Sequence, residues 1–295
     1  MCSGAGGQRN LSAVLSTWRS IVSTPRQAVT VRSRRHRAAV SLIVLLAVTL
    51  GSAGNLMVQP AGALEPPPTA ASPYGPFATA KELVNQTYKD VLMREPTTTE
   101  SRVAVSKLEG GTEPAVFVAG LVNSTEANTN VHSVIRLYRT YFLRNPDLRG
   151  FQSWVTKRIE GMPLAHISNQ FAVSKEFSVR YGVLNDEQFV DLVYEKVLKR
   201  PADPAGRAFW LDRLRNGHHR GYVMIMFSES PEYVRGTWGV VTAVHVYTSL
   251  LQASIKLGPA DTYGASLQNG RKTTEDLIRE LMNGQAYKAR FKTAA

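Results

Sequence analysis

Cysteine is almost absent from this chain: Cys2 is the only one among 295 residues. A lone thiol closes no intramolecular disulfide and builds no thiolate metal cage, so the fold must rest on packing and hydrogen bonds. Acidic residues are missing from the first 63 positions, which carry seven arginines. Missing too is any useful stretch of alternating apolar and polar residues, the period-two mark of a half-buried strand, and this excludes a sheet. No glycine loop is placed to cradle a phosphate, because Gly4, Gly6 and Gly7 lie in the N-terminal segment. No Ser, His and acid follow a recognisable nucleophile turn.

What is present begins with an export signature. In the basic N-terminal region, residues 1–63, Arg32, Arg34, Arg35 and Arg37 precede the apolar run from Ala38 to Leu50, which has the length of a signal-peptide core. Ala61-Gly62-Ala63 supplies a cleavage site. Counted on to Val58, the run is long enough to cross a hydrocarbon layer of roughly 30 Å, so a single-pass anchor through residues 38–58 with a short cytoplasmic N-terminus is the alternative. Gly51, Ser52, Gly54 and Asn55 interrupt that run and favour cleavage. The stretch before Arg32 is long for a signal, and Val29 or Val31 is an alternative start. Seven of the net +12 charges fall in this region, leaving +5 after Ala63, and such mild, dispersed basicity argues against nucleic acid as a partner. Residues 64–81 form a Pro-rich linker, with Pro66, Pro67, Pro68, Pro73 and Pro76, of the kind that makes a semi-rigid spacer.

The rest of the chain echoes itself four times with a period of about 53 residues. Tyr88, Tyr138, Tyr194 and Tyr247 each open a phrase in which Gly111, Gly161, Gly217 and Gly270 recur at one fixed distance. Ser124, Ser174, Ser230 and Asn283 recur at another, followed two residues later by Glu126, Glu176, Glu232 and Gln285. The third copy is the clearest. Asp186 is placed to cap a helix with Phe189, Val190, Val193, Val197 and Leu198 on one face, ended by Arg200-Pro201. Asp203-Pro204 restarts a second helix carrying Phe209, Trp210, Leu211 and Leu214, and Asn216-Gly217 stops it. A third helix carries Val223, Met224, Met226 and Phe227, and Ser230-Pro231 opens a short fourth one. The expected architecture is all-α, with four tandem helical modules of about 50 residues packed in series: repeat 1 at 82–128, repeat 2 at 131–183, repeat 3 at 186–239 and repeat 4 at 240–292.

The phrases Tyr138 through Arg144-Asn145-Pro146-Asp147 to Trp154, and Tyr194 through Arg200-Pro201-Ala202-Asp203 to Trp210, with Ser230 to Tyr233, resemble the repeat of the domain of unknown function 4214 family. The resemblance implies an all-helical module of secreted bacterial proteins, similar to the phycobilisome linker domain, with no established reaction to carry over. It weakens at both ends: Glu100 and Ala104 stand where the motif has Gly and Trp, as do Pro259 and Tyr263, with Ala253 in place of Arg.

The spacing Asp147 to Gly150 and Asp203 to Gly206, echoed out of register by Asp261 to Gly264, raises calcium as a ligand. Calcium wants six to eight oxygens, and the corresponding place in repeat 1 is Thr97 with Glu100 three residues on, which is a capping box. Helix capping is therefore the expected role of both aspartates. Arg94, Arg144 and Arg200, at the end of each first helix, are read as partners for helix-end carbonyls or for the following Asp, with an anion-binding row as the alternative. Trp154 and Trp210, with Tyr263, are expected to be core residues; a sugar platform would need them open. His218-His219 diverge on a turn, and His132, His166 and His245 fall on separate helices, so no metal ligand set is expected. The reading is of an exported, non-enzymatic protein, secreted or associated with the cell envelope, without catalytic, cofactor or metal residues. A protein or envelope component is the expected partner, and a carbohydrate-binding module or a hydrolase with a site between modules are the alternatives.

Overall fold

Side-chain caps decide where the helices of this protein begin. In the computed structural model, which describes residues 72–292, Thr79, Thr97, Asn185 and Thr273 close capping boxes on helices α1 (Ala80–Thr87), α2 (Thr98–Glu109), α8 (Asp186–Val193) and α13 (Thr274–Asn283). Between these come α3 (Pro114–Val122), α4 (Ser133–Tyr141), α5 (Leu148–Ile159), α6 (Leu164–Ala172), α7 (Lys175–Tyr181), α9 (Pro204–Arg215), α10 (Arg220–Ser228), α11 (Pro231–Leu251) and α12 (Leu257–Gln268). The short α14 (Gln285–Ala289) is last, and the described residues hold no strand. The signal, anchor and cleavage readings fall on residues outside those described.

Asp147 and Asp203 start α5 and α9 by accepting the amides of Gly150 and Gly206, both at 2.8 Å. Ser124, Ser174 and Ser230 do the same for the helices after them. At the other end Gly111, Gly161, Gly217 and Gly270 take φ of 95°, 98°, 86° and 70°, values that glycine reaches without a Cβ penalty. Five residues beyond each recurring tyrosine stands a non-glycine in the left-handed region, Met93, Leu143, Lys199 or Gln252. In the third copy it is therefore Lys199, not Arg200-Pro201, that breaks the helix.

Two further local expectations are corrected. The cap of α8 is Asn185, with Asp186 one place inside the helix, because an amide oxygen at 185 reaches the Gln188 amide at 2.8 Å. The helix opened by Ser230 is not short: α11 runs 21 residues. In the fourth copy the recurring position, Asn283, lies inside α13, and Gly284 takes the extended cap conformation.

The segments are not separated at the repeat boundaries. α11 crosses the 239/240 boundary unbroken, and a second continuous run, Thr125–Ala127 through the π-helical turn Asn128–His132 into α4, crosses the 128/131 boundary. A helix the length of α11 spans about 30 Å, and α12 and α13 both pack along it. Between the second and third segments the chain turns at Gly182, where φ is 73° and ψ is −164°. As a result α6 of the second segment packs on α10 of the third, and α3 of the first packs on α13 of the last. One core joins Leu83, Val84, Val91 and Val122 to Ala243, Val246, Leu250 and Ile278. α11 and α12 cross at backbone contact, since a Cβ on Gly239 would strike the Gly264 carbonyl and one on Gly264 would strike Val240. Gly264 is thus a helix-crossing residue and Asp261 lies inside α12, so the Asp261 to Gly264 echo is no loop.

Candidate functional site

The recurring tyrosines and arginines explain one another. Arg94, Arg144 and Arg200 each lie over the ring of their own tyrosine, Tyr88, Tyr138 or Tyr194, at 5.2, 5.1 and 5.4 Å. The tyrosine hydroxyls sit where a Cβ on Gly150 or Gly206 would be, which is why glycine follows the Asp cap there. Burial pushes the Tyr138 phenol up to about 12.

Each arginine then reaches forward. Arg94 holds Glu126 at 2.6 and 2.7 Å and Glu100 at 2.9 and 2.8 Å, so its fork is filled. Its guanidinium holds the Glu100 carboxyl down to about 2. Arg144 grips Glu176 at 2.7 and 2.9 Å and touches Asp147 at 3.4 Å. The expected pairing with the following Asp is real but secondary to a partner 32 residues on. That partner was readable: Arg and Glu recur together in three copies and are replaced together, by Ala253 and Gln285, in the fourth.

The third clamp is open. Arg200 pairs with Asp203 at 3.7 Å, while Glu232 lines a cleft of ≈ 480 Å³ with Arg139, Lys196, Lys199, Asp261 and Leu257. Arg139 there donates to Asp261 at 3.0 Å and to Asn145 at 2.6 Å. Lys196 is tied to Glu195 at 2.5 Å.

Two histidines that the sequence places 113 residues apart meet in the core. His245, on α11, is fully enclosed; its Nε2 donates to the Val91 carbonyl at 2.9 Å, and its Nδ1 faces His132 Nε2 at 3.0 Å. Because a carbonyl only accepts, His245 carries its proton on Nε2 and receives that of His132, and both rings are neutral. Burial drives both down, His245 to about 4. Nearby, Arg136 donates to Glu229 at 2.9 Å and to Asn128. His166 stays on α6 beside Gln170, and His218 stacks on Tyr222 with ring centroids 4.6 Å apart, so these do not join the pair. Among the described residues no group of three His, Cys, Asp or Glu is placed to hold a metal ion.

Of the aromatic candidates, Trp210 is 1% exposed and packs on Phe227. Trp154 corrects the expectation of a matched pair: it is half-buried, with Phe171 against one side and Lys157 Nζ 4.4 Å from its ring. Tyr263 is also half-buried, its hydroxyl donating to Glu280 at 3.1 Å.

These features define a helical body whose charged side chains mostly hold its own elements together. Within it, residues 168–236 match the family model described as Domain of unknown function (DUF4214). No curated protein and no solved structure matches the chain. No described helix is long and apolar enough to cross a membrane.

Proposed function

We propose that this is an exported, non-enzymatic helical-repeat protein that acts as a binding or scaffolding module at the bacterial cell surface or envelope. In this reading the four echoes are tandem copies of the unit matched at 168–236, related in turn to the phycobilisome linker domain. The observation that supports it most is the commitment of recurring polar residues to structure. Arg94 and Arg144 are filled by carboxylates, Asp147 and Asp203 are occupied as caps, and His132 and His245 satisfy each other in the core. Groups so engaged serve a rigid body that presents surface, rather than one that moves protons in a transition state. The recurrence of 12-residue helices α2, α5, α9 and α12 at corresponding places supports common units. A wall-sugar platform draws no support from Trp210, which is enclosed, or from Trp154, whose ring is already covered by Lys157.

The export part rests on Arg32 to Arg37 and the apolar run after them. Fractionating cells that express the full chain tests it: the product should appear in the envelope or the medium, and a wholly cytosolic product would end the reading. If the secreted form begins at Leu64, the signal is cleaved; an intact, membrane-retained chain favours the anchor over residues 38–58.

A further inference from the structure

The recurring Arg and Glu meet in the first and second copies and fail to meet in the third. Where they meet, the arginine is held from a second side as well, by the carbonyl of the next residue: Arg94 donates to Glu95 at 3.0 Å and Arg144 to Asn145 at 3.1 Å. Arg200 has neither hold. Proline, two residues after the arginine at Pro96 and Pro146, stands directly after it at Pro201. It therefore restricts the backbone of the arginine itself, and not that of the residue supplying the carbonyl. Arg200 reaches only Asp203, at 3.7 Å, which is too long for a hydrogen bond, and the other oxygen of Asp203 is spent on the Gly206 amide. The open clamp is thus written into the third copy by a shifted proline.

We propose that Arg200 and the cleft of ≈ 480 Å³ beside it dock an acidic segment of a partner protein: a carboxylate of the partner fills the Arg200 fork, and an apolar side chain next to it seats against Leu143, Leu198 and Leu257. Three observations carry this. The forks of Arg94 and Arg144, filled by Glu126 and Glu176, show the bond that this fold builds around the recurring arginine, and a carboxylate arriving from outside would make the same one. The cleft adjoins that fork, being lined by Lys199, the preceding residue, and by Glu232, the repeat's own partner for Arg200; its wall includes Leu257, which is 41% exposed. The charge balance at its mouth favours an acid. Asp261 is answered by Arg139 and Lys196 by Glu195, so the charges left uncommitted are Lys199, Arg200 and Glu232, with one positive in excess. Glu232 stands there as a tethered competitor for Arg200. The inference rests on the reading of a binding module and names the partner's chemistry; export is no part of it.

The test is an amide NMR titration of the isotope-labelled full chain with the peptide acetyl-Leu-Glu-Leu-amide and, separately, with acetyl-Leu-Gln-Leu-amide. Expected are shifts over residues 196–203 and 232–237, and a dissociation constant about fivefold or more lower for the Glu peptide. Arg200→Gln should remove that preference, and Glu232→Gln, which takes away the competitor, should tighten the Glu peptide by about twofold or more. Arg102→Gln, an equal loss of charge at an exposed site on α2, should change neither. Equal affinity for the two peptides, no shifts with either, or a preference that survives Arg200→Gln overturns the proposal. So does an equal loss in Arg102→Gln, which would mean attraction by overall charge alone. Should Arg200→Gln not fold, the peptide pair and Glu232→Gln still decide. A chain that reaches the envelope without binding the Glu peptide loses this site and keeps the scaffold reading; a cytosolic chain that binds it does the reverse.

Discussion

The two helix pairs that close this body do so by different means. Where α6 meets α10, backbones come into contact: a Cβ on Gly221 would strike the Asn169 amide and side chain, and Ser168 donates straight to the Gly221 carbonyl. Where α3 meets α13, both helices bring buried apolar side chains, Val118 and Val122 on one and Leu277 and Leu281 on the other, and charges lie at the rim, with Arg279 on Glu113 at 2.7 and 2.8 Å. A seam closed by backbone fit has no room for extra volume. One closed by side chains tolerates substitution but relies on each apolar group.

The largest effect should come from the aromatic core of the α6–α10 half. Trp210→Ala removes an enclosed ring packed on Phe227 and should cost about 3–5 kcal/mol of stability in urea unfolding. Trp154→Ala should cost clearly less, because its ring is half-buried at the edge of the same half. Equal losses would mean that the two positions are energetically matched despite their different burial.

The seam that joins the two halves should be sensitive to acid. His245 titrates ordinarily near 6.5 and is held to about 4 by burial, and His132 is lowered as well. Between those values the unfolded chain takes up a proton that the folded one refuses, so stability is full above about 6.5 and falls as the pH drops towards 4. For His245 alone the loss approaches about 3 kcal/mol. Urea midpoints at pH 7 and pH 5 check the sign; a midpoint that rises on acidification would contradict the neutral, hydrogen-bonded pair.

Local structure was legible in this sequence to the extent that it depends on near neighbours. Thr97 with Glu100, Asp147, Asp203 and Ser230 all cap as their spacing predicts, because a cap needs only a side-chain oxygen within three residues of an orphan amide. Asp186 failed by one place because Asn185 caps equally well and no single sequence ranks the two. Helix periodicity did not reveal the closure of the first segment on the last, nor the meeting of His132 and His245. Both depend on α11 running straight through a repeat boundary, whereas Ser230-Pro231 marks only where that helix starts and not how far it runs. The Arg144 to Glu176 clamp lies between these cases: distant in sequence, yet marked by paired replacement in the fourth copy. Gly221 and Gly264 carry no sequence signal of their own, since their role is to admit a helix that arrives from elsewhere.

Two glycines sharpen the contrast between the pairs at smaller cost. Gly221→Ala should destabilise by about 1–3 kcal/mol through overpacking against Asn169. Gly120, inside α3, has nothing within 4 Å of a built Cβ, so Gly120→Ala should stabilise by up to about 1 kcal/mol through helix propensity. Opposite signs in thermal unfolding are the expected result. Two stabilising substitutions would mean that α6 and α10 can move apart without loss, and that the close approach is not what holds them.

The smallest effect belongs to the rim charges of α3 and α13. Arg279 bonds Glu113 with both arms of its fork and also Asp276, yet all three side chains are exposed to nearly half their area. Water competes for each, and salt screens what remains. The Arg279 guanidinium does hold the Glu113 carboxyl below its usual range, so the attraction is present, but at such exposure it does not translate into comparable stability. Arg279→Ala should therefore leave the urea midpoint unchanged in half-molar salt and move it only slightly at low salt. A large, salt-independent loss would show that the rim pair, and not the apolar seam of Val118, Val122, Leu277 and Leu281, joins the first segment to the last. The contrast between a seam made by side chains and one made by backbone would then have to be redrawn around charge.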